Sequence, residues 1–136
     1  MTKKFVLLLT FLFPVFLFAQ STFSDCDHVY TKVQHLPSLK ISDEAFEDTL
    51  ATILTPKKFS LKYNEITYKF VVTDKSKIDD LTAVSGSVGK EKVLRETILN
   101  LADLWKPAIQ NGYDVCSYVS LKLKFVDNKI NIEITQ

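Results

Sequence analysis

Between Ala102 and Phe125 the chain reads ADLWKPAIQNGYDVCSYVSLKLKF, and its last eleven residues hold the cleanest alternation in the sequence. From Val115 the odd positions are Val115, Ser117, Val119, Leu121, Leu123 and Phe125. The even positions are Cys116, Tyr118, Ser120, Lys122 and Lys124. Period two with one oily face and one mostly polar face is the signature of a half-buried β-strand. A strand of this kind needs neighbouring strands on its edges and an apolar layer on its oily face. Upstream, Trp105 ends a helical pattern as a core anchor, Pro107 forbids further helical turns, and Asn111-Gly112 marks a polar turn into the strand.

The remaining elements supply those needs. Ser42 is placed to cap a helix whose first turn carries Asp43 and Glu44, where the helix dipole favours acids. Phe46, Leu50, Ile53 and Leu54 follow as a core-facing stripe, and Pro56 ends the helix. Residues 55–64 form a basic, irregular connection. Ile66 to Thr73 alternates, Asp74-Lys75-Ser76-Lys77 is a turn, and Ile78 to Ser85 is a second strand, antiparallel because the link is short. Gly86 and Gly89 bracket a loop. Lys90 to Leu104 is expected as the main helix, with Leu94, Ile98, Leu101 and Trp105 on one stripe. After the long strand, Val126 to Lys129 is a tight turn, and Ile130, Ile132 and Ile134 mark a final strand paired to the long one. The expected fold is α+β: a two-layer sandwich with an antiparallel sheet of about four strands and two helices on one face.

The 136 residues suffice for one domain. Residues 1–20 read as a secretory signal peptide: Lys3 and Lys4 precede an apolar run from Phe5 to Phe18, and Ala19-Gln20-Ser21 offers cleavage. That run is shorter than the roughly 20 residues a membrane-spanning helix needs. Cys26 lies too far downstream for a lipoprotein signal. The reading is thus a signal peptide at 1–20, an extended leader at 21–40 and one domain at 41–136, exported to the periplasm with no stable membrane insertion after cleavage. Without Lys3 and Lys4 the formal charge falls from +1 to −1, and Arg95 is the sole arginine. Such a domain carries no electrostatic footprint for nucleic acid.

The two cysteines, Cys26 and Cys116, form a disulfide in an oxidising compartment or stand as two thiols too far apart to bond. Asp25-Cys26-Asp27-His28 collects metal-ligand types, but zinc or copper needs three or four converging groups and only His35 could join them. The plainer reading is a polar leader into a short extended piece from Val29 to Val33, so no metal or cofactor is expected. No catalytic constellation stands out. Both histidines lie in the leader, there is no nucleophile elbow, and Asp79 and Asp80 point to opposite faces of a regular strand. Cys116 is a thiol nucleophile only if unbonded and met by His35. The chain reads as no enzyme.

The second half resembles the C-terminal domain of the TonB family, most strongly over residues 67–125. Phe70 to Ile78 looks like the family's strand–turn–strand, with Ser76 where a glycine is usual. Val84-Ser85-Gly86 looks like the end of its second strand. Glu91 to Leu104, then Trp105-Lys106-Pro107-Ala108, then Asn111-Gly112-Tyr113-Asp114-Val115, look like its helix, its Trp-x-Pro stop (with Ala108 for the usual glycine) and the entry to its last strand. The resemblance implies a protein-binding module that takes a short peptide of outer-membrane transporters, or of another envelope protein, by strand addition in transmembrane transport. It implies Ser117, Tyr118, Val119, Ser120, Leu121, Lys122, Leu123, Lys124 and Phe125 as the partner-binding strand, and Trp105, Pro107 and Gly112 as structural positions. The chain is expected to do this without the membrane anchor and Pro-rich spacer of a full energy transducer. Ile130 to Thr135 is expected beside that strand as a displaceable cover. Exposed edges carry the hazard of a homodimer by strand exchange, which the sequence leaves open. The alternative is an inhibitor-like or scaffold domain without a transport role. Thr82-Ala83-Val84-Ser85-Gly86 shares a Val and a Gly with the cystatin-type Gln-x-Val-x-Gly, but it precedes a helix rather than turning a hairpin.

Overall fold

The computed structural model describes residues 26–54, 65–86, 88, 91–126 and 129–136. The signal-peptide reading, Asp25, the basic connection at 55–64, Gly89, Lys90 and the turn residues Asp127 and Asn128 lie outside them. In chain order the elements are β1 (Val29–Tyr30), β2 (Ser38–Leu39), α1 (Asp43–Leu54), β3 (Glu65–Val72), β4 (Ile78–Gly86), α2 (Glu91–Asn100), a 3-10 turn (Ala102–Leu104), β5 (Trp105–Lys106), β6 (Ala108–Gln110), β7 (Tyr113–Val126) and β8 (Lys129–Thr135). This is a mixed α+β fold with a curled sheet.

Local chemistry sets the boundaries. The Ser42 hydroxyl accepts the Ala45 amide at 3.1 Å, and the Ser42 carbonyl accepts the Phe46 amide at 3.0 Å, which closes the first turn of α1. Between β3 and β4, Thr73 holds the turn. Its hydroxyl accepts the Lys75 and Lys77 amides, and its own amide donates to the Lys77 carbonyl at 2.8 Å. Ser76 stands there at φ 59°, a left-handed conformation that suits glycine. Between β6 and β7, Gln110 pairs with Tyr113 across Asn111 (φ 52°) and Gly112 (φ 79°). Two positive φ values in a two-residue loop make the hairpin turn that Asn-Gly favours.

The main helix stops earlier than its periodicity predicts. α2 ends at Asn100, the 3-10 turn follows, and Trp105 lies in a strand instead of at a helix end. The cause is the leader: Leu39 pairs with Trp105 and Ser38 with Lys106, while the Lys40 amide donates to the Leu104 carbonyl at 2.7 Å. These strand bonds replace further helical ones. Trp105 is still a core anchor. It is fully buried, edge-on to Phe70 at 5.3 Å and to Phe46 at 6.2 Å.

The sheet is larger than the four strands expected. Its path is β1-β7-β3-β4, with β6 and β8 also on β7, six strands among the described residues. The additions come from the leader and from the segment after Pro107. β1 runs parallel to β7, with Val29 opposite Cys116, and β6 folds back on the start of β7. Gln34 joins the two: its amide donates to the Gln110 side-chain carbonyl at 3.0 Å, and its own side-chain oxygen accepts the Asn111 amide at 2.9 Å.

One core lies on one face of this sheet. Phe46 and Leu50 of α1, Leu94 and Ile98 of α2, Ile66, Tyr68, Phe70 and Val72 of β3, and Val119, Leu121 and Leu123 of β7 form one cluster. Each large apolar side chain buried this way contributes about 1.5–3 kcal/mol. On the opposite face the Cys26–Cys116 disulfide closes, with Cα atoms 6.1 Å apart across a sequence separation of 90. It pins the chain ahead of β1 to β7.

Candidate functional site

The long strand β7 is the strand expected to take a partner, and both of its edges are paired, with β8 beside it as expected. On one edge β3 pairs with it from Ser117, opposite Val72, to Lys124, opposite Glu65. On the other edge β8 pairs from Ser120, opposite Thr135, to Val126, opposite Lys129, and β1 takes Cys116 and Ser117. Ser117 to Phe125 therefore offer no continuous free edge. Val119, Leu121, Leu123 and Phe125 point into the core; Tyr118, Ser120, Lys122 and Lys124 lie on the opposite face. Ser117 is buried and satisfied, with its hydroxyl between the Tyr30 and Tyr118 carbonyls and the Gln136 amide. A strand has two edges and both are in use here, so addition at β7 requires β8 to leave.

The outer edge of β8 lies beside α1 and is engaged at one point. The Ile132 amide, turned away from β7, donates to Glu47 Oε1 of α1 at 2.9 Å. A helix carboxylate thus occupies the backbone position that a further strand would need.

β4 is different. It lies at the end of the sheet path, and among the described residues no strand pairs with its outer edge. Thr82, Ala83, Val84, Ser85 and Gly86 are all exposed, Val84 at 54%. Its pairing with β3 is irregular, with register shifts at Thr67/Tyr68 and at Lys69/Val71. The second shift contains Asp80 at φ 54°, so Asp79 and Asp80 sit at a bulge and not in the regular alternation expected of them. Beside this edge a shallow pocket on the face away from the helices is lined by Lys69, Asp80, Thr82, Val84 and Tyr118, with the Lys69 ammonium 4.8 Å over the Tyr118 ring. Gly86 ends the strand where it touches β3: a Cβ there would lie 2.1 Å from the Glu65 carbonyl oxygen, and its φ is 74°.

A polar brace holds β4 against the helix layer. Tyr68 donates its hydroxyl to Glu91 Oε1 at 2.8 Å, Arg95 pairs with the same carboxylate at 3.2 Å, and Arg95 Nη1 donates to the Leu81 carbonyl. Burial, and then the Glu91 hydrogen bond, push the Tyr68 phenol above its ordinary range. The Leu81 carbonyl is thereby taken, and Thr82 to Gly86 form the run beyond it with no strand alongside among the described residues.

Elsewhere the expected site residues are dispersed. Cys26 is bonded to Cys116, so neither is a nucleophile or a metal thiolate. His28 stacks edge-on to Tyr30 at 4.5 Å, and His35 exchanges two backbone hydrogen bonds with Ile109. Among the described residues no three of His, Cys, Asp and Glu converge. No described helix is long and apolar enough to cross a membrane. Gly112 has nothing within 4 Å of where a Cβ would stand, so it serves the turn through its backbone alone. Sequence reasoning missed the open β4 edge. The available signal was its composition, a strand end with neither charge nor proline.

No known family model, curated protein or solved structure matches this chain.

Proposed function

We propose that this chain is an exported, stand-alone protein-binding module of the TonB C-terminal kind, a two-layer α+β sandwich that captures an extended segment of an envelope protein as an added strand. By resemblance, that envelope protein is an outer-membrane transporter. The binding strand is β4. The observation that carries this reading is the outer edge from Thr82 to Gly86, with which no strand pairs among the described residues. Backbone N–H and C=O groups on such an edge supply affinity, and alternate side chains beside it supply selectivity. The signal-like N-terminus and the resemblance over residues 67–125 support the compartment and the class. Addition at β7 is the weaker route, since β8 would have to leave and Ile130 with it, a residue that is 8% exposed in the core.

The test is a pull-down from envelope extract with the chain starting at Ser21, beside single prolines at Thr82 and at Ala83, which stand in regular register opposite Lys69 and Tyr68. Successive residues of a regular edge strand point their N–H groups to opposite sides, so one of the two prolines removes only an outward donor and leaves the β3 ladder intact. Capture of an outer-membrane transporter by the parent, lost in a variant with unchanged circular dichroism, supports the reading. Capture that survives in both folded variants, or no capture by the parent, sinks it. A protease-inhibition assay separates the inhibitor-like alternative.

A further inference from the structure

We propose that the pocket beside β4 receives a glutamine side chain from the strand that adds to that edge. This rests on β4 being the binding edge and names the side chain that the edge selects. Two irregularities make the pocket. Where β3 pairs with β4, Thr82 stands opposite Lys69 and Ala83 opposite Tyr68, but Asp80 and Val84 fall inside the two register shifts. Extra residues of this kind break a strand's alternation and re-aim side chains. Asp80, at φ 54°, and Val84 line one pocket from either side of Thr82, together with Lys69 and Tyr118. Its volume of about 280 Å³ lies below the roughly 300–1,000 Å³ of small-molecule sites and suits a single side chain.

Reach and charge select the occupant. Directly opposed residues on neighbouring strands point to the same face, so the added residue facing Thr82 stands over the pocket. Thr82 is short, and its hydroxyl donates to the Asp80 carbonyl at 3.2 Å, so a longer neighbour passes over it toward Lys69. The Lys69 ammonium rests 4.8 Å over the Tyr118 ring, which leaves N–H groups for an acceptor. Asp80 lines the same pocket with the opposite charge. Among the described residues neither Lys69 nor Asp80 forms an ion pair. A carboxylate entering here pairs with Lys69 but meets Asp80 as a like charge, and a cation does the reverse. A primary amide answers both: its oxygen accepts from Lys69 and its NH2 donates to Asp80. Glutamine carries that amide on two methylenes, which lie along the exposed Val84 side chain.

An NMR titration of the chain from Ser21 decides this. The probes are extended heptapeptides with blocked ends, Thr-Val-Thr-X-Thr-Val-Thr, in which X is Gln, Glu, Lys or Leu. The expected result is shifted Thr82 and Ala83 amides and a Kd for the Gln peptide about tenfold below the others. Asp80→Asn moves the preference to Glu, and Lys69→Met moves it to Lys. Both side chains are exposed, and asparagine tolerates the left-handed backbone at position 80. Circular dichroism checks that each variant is folded, and the order of the four peptides on the parent decides without them. Binding at Thr82 and Ala83 with no preference for Gln overturns the pocket and leaves the edge reading standing. A Gln preference that survives both folded variants places the amide elsewhere and also overturns it. Peptides that shift neither amide remove the edge reading and the pocket with it.

Discussion

The two outer strands, β8 and β4, differ in what lies beyond them. β8 has α1 against it, with the Glu47 carboxylate on its Ile132 amide, and it adds Ile130 to the core. β4 has the Arg95 brace at Leu81 and then five exposed residues. Both are edges of the same sheet, and their backbones carry the same hydrogen-bonding capacity. What separates them is whether an outward N–H or C=O already has a partner, since unpaired backbone groups along an extended strand recruit another chain. Among the described residues the strand with a free-standing edge is β4, whose sequence pattern is weak, and not β7, whose pattern is the strongest. β7 is well patterned because one of its faces meets the core and the other does not, which leaves its edges unspecified.

The largest way to break this contrast is at the side pinned by the leader. Replacing Cys26 and Cys116 with alanine removes a closure over a separation of 90 residues and is expected to cost about 4 kcal/mol, read as a lower denaturant midpoint. A cost near zero would mean that β1 and Gln34 hold the leader unaided. Next, Leu121→Ala in fully buried β7 should cost about 2–5 kcal/mol, whereas Val84→Ala on β4 should stay within about 0.5 kcal/mol. Equal costs would show that β4 is covered in solution.

The Tyr68 brace gives a pH test. Its phenol is raised in the folded state, so the stability it contributes is whole below its unfolded value of about 10 and is lost as pH climbs above that. Unfolding measured from pH 8 to 11 should show this loss in the parent. Tyr68→Phe should start about 1 kcal/mol lower for its missing hydrogen bond and show a flatter decline above pH 10. A parallel decline in both would remove Tyr68 as the source. The smallest effect is expected at Glu47→Ala, about 1 kcal/mol or less, with faster exchange of the Ile132 amide as the sharper readout. If that amide stays protected, something other than Glu47 closes the β8 edge.

Much of the fold was legible in the residues. Ser42 capped α1, the alternations at Ile66–Val72 and Val115–Phe125 gave strands, Asn111-Gly112 gave a hairpin turn, and the two cysteines gave the disulfide. These follow from rules that act over a few residues, or from there being a single pair to join. The site was far less legible. The sequence alone determined which segments have an oily face, where they must turn, and that Trp105 must be buried. Tertiary structure alone decided that Trp105 reaches the core from a strand, that the leader adds strands to the sheet, and that β7 is central while β4 is terminal. Strand order rests on contacts between residues as far apart as Val29 and Cys116 or Glu47 and Ile132, and no local pattern encodes which of two edges a neighbour will fill.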